Sequence, residues 1–540
     1  MGMMTSERED LLRMEPAAEG KQRRRFRMVI PAFPAVNVYS GFAKRMTALG
    51  PLCIATVANK LEAWDVEVID ENNFRNTAVK TKDGVPDHQK IQQMRPADVV
   101  GFYGGLSSTI PRLYKISNLY KSMGCTTIAG GQHFVDDTMD EAFDNGIDFV
   151  AEGEGEETIR DFLTNFHHNE ELTSVPGLVY RPNGDFVHTG RRERITDFER
   201  MPLPDLGLVR NARIKWFPVT WTRGCGMNCE FCTVKGKVRS CGPERVLAQI
   251  AHAFETYGAE KFFFVDDFFG PNREEALRLC RKLEAYQAEM NVRFGISVQM
   301  RLEKAEDTEL LRAMRRAGVG TAAIGFESPI GEELEAMNKK LKPEDMVSWS
   351  RKLRKEGFFV HGMFIFGYPV GENVRFRMSA KERTRRFKQF IRKAHLDTVQ
   401  VLLPVPLPGT DFTRRLQTEM RVFSRESLGW EYYDGNFPLF EPDPPLTPEK
   451  MHESITKIMT RFYRFKYMLS TGLNLLWFPS IVLWFHRIKI GWRQWYRVWR
   501  NSILRFNGWL MMRRWKRQVR KDNFLSKIQH AKKQLDQGSI

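Results

Sequence analysis

The sequence predicts an α/β protein. A doubly wound, parallel-sheet unit of Rossmann type comes first, a partial or full (β/α) barrel follows, and a helical basic tail ends the chain. Three observations carry this expectation. Short apolar strands alternate with helix-patterned segments through the first third of the chain, as in parallel sheets covered on both faces. A second series of six such units runs from about Phe217 to Gly409, a number that suggests a barrel with its chemistry at the strand C-termini. The positive charge is confined to the end. The 540 residues carry net +17, and from Arg461 onward there are 18 Lys and Arg against two acids. The first 460 residues therefore sum to +1. A body so balanced lacks the basic face that nucleic acid requires. Seven cysteines are too few for a secreted disulfide framework. Met1–Arg27 alternates acids and bases without an apolar run, so no signal peptide is expected and the cytoplasm is the expected location.

Each element has its own signal. Phe26–Pro31 is a short apolar strand, Leu52–Leu61 has helical apolar spacing, and Val66–Asp70 reads as a strand. Asp98–Phe102, Thr126–Ala129 and Asp148–Ala151 are further strands, with helices expected around Arg112–Met123 and Glu156–Asn165. Gly-rich loops close several strands, and the ligand crevice of such folds lies beyond those carboxyl ends. Residues 170–215 read as a connector with a small hairpin turning at Asn183-Gly184. In the second series, strands are expected at Phe217–Thr222, Lys261–Val265, Arg293–Val298, Thr321–Gly325, Val360–Phe366 and Thr398–Leu403. Helices are expected at Glu274–Glu289 and Asp307–Ala317, and the proline-rich Asn436–Pro448 reads as a linker. The domain boundaries drawn from this are a disordered 1–24, a cofactor-binding unit 25–190, a linker 191–215, a catalytic unit 216–435, and a helical basic-aromatic region 436–540.

The strongest chemical signal is Cys225-Gly-Met-Asn-Cys229-Glu-Phe-Cys232, a CxxxCxxC loop directly after a predicted strand. Three thiolates so close together suit one soft metal centre. With Cys241 as a fourth ligand the centre is a structural zinc. With three ligands it is an iron–sulfur cube that leaves one iron open.

The three cysteines, with aromatic Phe231 before the last, resemble the radical S-adenosylmethionine (radical SAM) superfamily, and supporting motifs extend the resemblance over about Phe217–Gly409. It implies that Cys225, Cys229 and Cys232 hold a [4Fe–4S] cluster whose open iron binds SAM. One electron then cleaves SAM to a 5′-deoxyadenosyl radical. It further implies SAM contacts from Phe231, from Asp266 at the end of the second barrel strand, from Gln299 and Arg301 after the third, and from Glu327 after the fourth. Read without the resemblance, Asp266, Arg301 and Glu327 are barrel-rim ion pairs. Pro406–Thr410 is similar to the turn after the sixth strand in cobalamin-dependent members. Upstream, Leu49-Gly-Pro-Leu52, Gly130-Gly131-Gln132-His133 and Glu152–Glu156 resemble the B12-binding domain of that class. The resemblance implies cobalamin contacts from Gly104, Gly130, Gly131, Gln132 and Glu152. None of the 11 histidines has Asp two positions before it, so no Asp-x-His-x-x-Gly cobalt ligand is present, and cobalamin is expected to bind without a histidine ligand. His133 is either a cobalamin contact or a hydrogen-bonded structural residue. Cys53, Cys125 and Cys280 read as packing residues.

Tyr467–Phe485 has no charged residue, yet Ser470, Thr471, Gly472, Asn474 and Pro479 dilute it, and cations flank it on both sides. Seven of the 12 tryptophans lie beyond residue 476. Trp492, Trp495 and Trp499 recur at helical spacing, as do Arg493, Arg497 and Arg500. Three readings stay open: a helical cap on the barrel, a helix lying in a membrane interface, and a spanning helix. Taken together, the sequence predicts a cobalamin-dependent radical SAM enzyme, a methyltransferase acting on an unactivated carbon of a hydrophobic or lipid substrate. A flavodoxin- or ferredoxin-like electron donor and peripheral contact of 461–540 with the inner face of a membrane complete the expectation; nucleic acid is no partner. A non-methylating cyclase or rearrangement enzyme acting on a porphyrin- or hopanoid-type substrate, and a non-catalytic cobalamin or redox sensor, are the alternatives.

Overall fold

The computed structural model describes residues 23–38, 40–135, 138–166, 172–371, 376–476 and 492–537. Its N-terminal unit contains, in chain order, β1 (Arg24–Ile30), α1 (Leu49–Ala58), β2 (Trp64–Asp70), β3 (Val99–Tyr103), α2 (Ile110–Ser122), β4 (Thr126–Gly130), β5 (Phe149–Ala151), α3 (Gly155–Thr164), β6 (Leu178–Tyr180) and β7 (Val187–His188). They form a seven-stranded sheet in the order β2-β1-β3-β4-β5-β6-β7. Strands β1 to β5 run parallel, while β6 and β7 are antiparallel additions. Alternation along the strands explains the two covered faces. Phe26, Met28 and Ile30 join one apolar cluster with Leu52 of α1 and Phe162 of α3, whereas Val29 joins another with Leu113 and Ile116 of α2. The strand order reverses between β1 and β3, which is where a parallel sheet opens its crevice. A cavity of about 250 Å³ lies there, lined by Ile30, Pro31, Phe33, Asp70, Tyr103 and Leu106, among others.

The connector is more ordered than its composition suggested. Its hairpin joins the sheet beside β5. On the opposite edge, Val209 bridges Val68 and Arg210 N donates to Val68 O at 2.9 Å. Residues 209–212 thus run back along the sheet.

The second unit contains β8 (Phe217–Val219), α4 (Pro243–Tyr257), β9 (Lys261–Phe264), α5 (Arg273–Glu289), β10 (Gly295–Gln299), α6 (Thr308–Arg316), β11 (Val319–Glu327), α7 (Gly331–Ala336), α8 (Pro343–Lys355), β12 (Phe359–Ile365), α9 (Ala380–Lys393), β13 (Thr398–Leu402) and α10 (Asp411–Thr418). The strands pair in sequence from β8 to β13, all parallel. Among the described residues the first and last do not pair, so the barrel is partial. Strand β8 stops before the expected Thr222 because Trp221 N and Thr222 N leave the ladder and donate to Asp266 Oδ1 at 2.9 and 3.0 Å.

The segment read as a linker, Asn436–Pro448, is packed: Phe437, Leu439 and Phe440 are fully buried. Beyond it come α11 (Pro448–Phe462), α12 (Lys466–Leu476), α13 (Trp492–Lys521) and α14 (Phe524–Asp536). Tyr463 OH donates to Val399 O at 2.7 Å. Helix α13 covers the N-terminal ends of β12 and β13. Arg497 donates to Arg354 O and Phe358 O, Asn501 Nδ2 to Asp397 Oδ1 at 2.7 Å, and Arg505 to Leu396 O at 2.9 Å. Arg500 stacks on Phe359 at 4.7 Å. The helical spacing of Arg497 and Arg500, read as suited to headgroups, is therefore used against the barrel, because the carbonyls that begin β12 and β13 need donors. Residues 1–22 of the expected disordered terminus lie outside the described residues. So do Trp477, Pro479, Trp484, Arg487 and Lys489, and with them most of Tyr467–Phe485. The side chains of Trp492, Arg493 and Trp495 are also outside the description. Among the described residues, no helix is long and apolar enough to cross a membrane.

Candidate active site

The loop after β8 carries the three cysteines. Cys229 is buried, while Cys225 and Cys232 are half-buried. Burial pushes the Cys229 and Cys232 thiols up, and the charges of the other loop cysteines push in the same direction. A metal centre that draws off their protons relieves that repulsion, so the donor set fits an iron–sulfur cluster.

The loop is pinned from several sides. Lys235 Nζ donates to Cys229 O at 2.7 Å, to Asn228 Oδ1 at 3.0 Å and to Asp411 Oδ2 at 3.1 Å. Glu230 accepts from Arg415 Nε and from Tyr368 OH, both at 2.6 Å. Phe231 packs edge-on against Tyr368, with ring centroids 6.1 Å apart. Val234 N points at Cys232 Sγ at 3.4 Å.

Cys241 does not join this set. It is buried, its Sγ lies 3.6 Å from Trp221 O, and it lines a small cavity with Cys53 between the two units. Burial pushes its thiol up to about 12. The four-cysteine zinc reading therefore loses its fourth ligand.

The other strand ends divide. Arg301, after β10, donates to Cys225 O and stacks on Phe268 at 4.1 Å, so it ties the third strand to the cysteine loop. Gln299 is half-buried at the end of β10, and its carbonyl accepts from Phe269 N at 2.9 Å. Glu327 pairs with Lys339 at 2.9 Å, and both charges act on Cys229. Asp266 stands apart. It is buried and accepts from Thr220 Oγ1 at 3.0 Å as well as from Trp221 N and Thr222 N. It holds the strand turn, and burial pushes it up to about 7 against those donors. Its exposed neighbour Asp267 is the residue whose charge reaches Cys232.

In the N-terminal unit the loops after β3 and β4 interlock. Gly104 N donates to Gly130 O at 2.7 Å, and His133 N donates to Gly104 O at 3.0 Å. A Cβ on Gly104 would lie 2.2 Å from Phe134 Cε2, and one on Gly131 2.5 Å from Gly104 C. Only glycine lets the two loops lie this close. The cavity described above opens beside these loops, beyond the strand ends, where Tyr103 and Leu106 line it. His133 is buried, shares a proton with Ser107 Oγ at 3.0 Å, and meets Trp430 edge-on at 4.5 Å. Burial, with help from Arg425, depresses it to about 3. Its Nδ1 is hydrogen-bonded, while its buried Nε2 has no partner among the described residues. Glu152 is exposed, with its backbone N–H on Gly177 O at 2.8 Å. The acids beside it, Glu154 and Glu156, bind Arg239 and Arg223 of the second unit.

The two loop systems touch. Thr233 Oγ1, one residue past Cys232, donates to Gln132 Oε1 at 2.8 Å. Val135 lies 3.2 Å from where a Cβ on Gly409, in the turn after β13, would sit. Of the residues now seen at the site, Thr233, Lys235, Asp267, Lys339 and Arg415 were not legible in the sequence. Single polar residues carry no spacing signal, and several of the contacts, such as Thr233 to Gln132 and Arg415 to Glu230, join segments distant in the chain.

Comparison with known proteins agrees with this geometry. The Radical SAM superfamily model matches residues 219–395. An uncharacterized methyltransferase of Pyrococcus horikoshii is 26% identical over 375 residues, 67% of this chain and 77% of that protein. Bacteriochlorophyllide d C-12(1)-methyltransferase of Chlorobaculum tepidum is 25% identical over 486 residues, 86% of this chain and 94% of that protein. The solved structure of the radical SAM methyltransferase TsrM from Kitasatospora setae, with cobalamin and a [4Fe–4S] cluster bound, superposes with a TM-score of 0.61 at 16% identity, over 89% of this chain and 99% of that one. Residues 219–395 are thus a radical SAM domain, in a chain whose fold is that of the cobalamin-bound radical SAM methyltransferase structure.

Proposed function

We propose that the protein methylates an unactivated carbon of a hydrophobic substrate. Cys225, Cys229 and Cys232 would hold the [4Fe–4S] cluster, and the loops at Gly104 and Gly130–Gln132 would hold cobalamin. The observation that carries this reading is the Gln132–Thr233 contact, which brings the two loops to one interface. A methyl donor and a radical generator that act on one carbon must face each other at short range. When bound, the cluster supplies the electron that cleaves SAM, and cobalamin supplies a transferable methyl group. The chain's own part is orientation. Lys235 and Arg301 fix the backbone of the cysteine loop, Glu230 anchors it to Arg415 and Tyr368, and Gly104 and Gly131 let the two facing loops pack closely on each other.

The test is anaerobic turnover with SAM and a reductant, with products counted. Methylation yields S-adenosylhomocysteine together with 5′-deoxyadenosine. A cyclase or rearrangement enzyme yields 5′-deoxyadenosine alone, and a sensor yields neither. Either of the last two results overturns the proposal. A reduced flavodoxin- or ferredoxin-like protein is the proposed physiological donor.

The hydrophobic-substrate part rests on the tail. Phe465, Met468 and Leu469 are exposed beside exposed Lys466, as are Tyr496 and Val498 of α13. Apolar side chains next to a cation suit the edge of an anionic membrane. Replacing Phe465, Met468 and Leu469 with Ser should abolish flotation with phosphatidylglycerol vesicles at low salt. Unchanged flotation, or no flotation of the unaltered protein, removes the support for a lipid substrate.

A further inference from the structure

Lys339 has no part in the reading above, yet it stands at the cluster loop. Strand β11 ends at Glu327 in a left-handed conformation, φ 57°, which non-glycine residues adopt rarely. The register with β12 shifts at that point. The Glu327 side chain folds back over its own strand, so that a Cβ on Gly325 would lie 2.3 Å from Glu327 Oε1. In that position its carboxylate takes Lys339 Nζ at 2.9 Å, and both side chains are largely shielded from solvent. The segment bearing Lys339 is itself bracketed to the cysteine loop. Met337 O accepts from Glu230 N at 3.3 Å, and Asn338 Nδ2 donates to Asn228 O at 2.9 Å, on either side of Cys229. The ammonium feels the charge of both Cys225 and Cys229. One carboxylate aims the ammonium, and two hydrogen bonds, one between backbones and one from the Asn338 side-chain amide, hold its segment against the cysteine loop.

Resting on the reading that these thiols hold a cluster, we propose that Lys339 is a positioning residue whose charge raises the reduction potential of that cluster, with Glu327 as its anchor. Reduction adds one negative charge to the cluster, and a shielded cation nearby stabilises the reduced form more than the oxidised one. Outer groups of this kind tune a metal centre without ligating it.

The full-length protein and its K339M, K339R and E327Q variants are reconstituted anaerobically with iron and sulfide. Each is assayed for iron content and titrated potentiometrically by electron paramagnetic resonance without SAM, so that a lost SAM contact cannot imitate the effect. K339M should keep its iron and shift to a more negative midpoint. K339R should return toward the unaltered protein. E327Q, which removes an anion and leaves the cation, should shift the opposite way from K339M. An unmoved midpoint in K339M, no return in K339R, or E327Q moving with K339M overturns the proposal. If K339M does not take up iron, the direction of the E327Q shift decides alone. Absence of a cluster from the unaltered protein overturns both this proposal and the functional reading. A cluster whose potential ignores Lys339 overturns this proposal only.

Discussion

Three thiols share one loop while a fourth, nine residues further on, lines a cavity between the two units. Replacing any of Cys225, Cys229 or Cys232 with Ala should abolish cluster absorbance and bound iron in reconstituted protein. Cys241→Ala should keep both and lose only packing. Asp266 gives a second contrast. Asp266→Asn sets an amide NH₂ against N–H donors and should cost about 1–3 kcal/mol of stability, read as a lower unfolding midpoint, with SAM affinity unchanged. At this scale the sequence was legible where spacing carries the chemistry, as in CxxxCxxC. It was not legible where neighbouring residues divide a role. Asp266 and Asp267 are adjacent in the chain, and only the fold turns one inward to the Trp221 and Thr222 amides and leaves the other exposed. Lys339 depends on a strained strand end twelve residues earlier, which no propensity announces.

The loop after β4 shows how an element acquires a pH response. His133 titrates near 3 in the folded protein, against about 6.5 in the unfolded chain. Between those values the unfolded state binds the proton and the folded state does not. The contribution of His133 is therefore complete above about pH 6.5 and is lost as pH falls toward 3. Thermal unfolding of the apo-protein should shift to lower temperature on acidification from pH 7 to 5. His133→Phe, which cannot titrate, should flatten that slope relative to the unaltered protein, and equal slopes would contradict the assignment. The strands and helices themselves were read from periodicity with ends shifted by a few residues. Strand β8 is the instructive case, since a buried carboxylate captured the amides that would have extended its ladder. The linker at Asn436–Pro448 was misread because prolines mark a break in regular structure but are silent about burial, and Phe437, Leu439 and Phe440 fill the core there.

Across the whole molecule the tail is part of the body. Ending the chain at Pro448 would remove Met451, Ile455, Ile458 and Tyr463, all buried, together with Trp515 and Phe524. Loss of several such side chains, at about 2–5 kcal/mol for each large aliphatic one, exceeds the margin of most domains. The truncated protein should therefore accumulate as aggregate, and a soluble, cluster-binding product would show that α11 to α14 are dispensable. Positive charge in the sequence suggested a surface-seeking arm. The structure spends Arg497, Arg500 and Arg505 on the barrel, and among the described residues it leaves Met468 and Leu469 of α12 and Tyr496, Val498, Arg513 and Arg514 of α13 facing outward.

The return of residues 209–212 along β2 has a consequence for keeping the N-terminal sheet single. An uncovered parallel edge is an open row of donors and acceptors, ready to recruit another copy. Here one edge ends in the two-residue β7, and the other is occupied by Val209 and Arg210, with Asn211 O accepting from Arg75 N at 2.7 Å and Ala212 bridging Phe74. A fragment that stops at Gly190 would bare β2, whereas one that continues to Lys215 carries its own cover. Twenty-five residues that look like a tether thus decide whether the first unit, made alone, stays in solution or polymerises edge to edge.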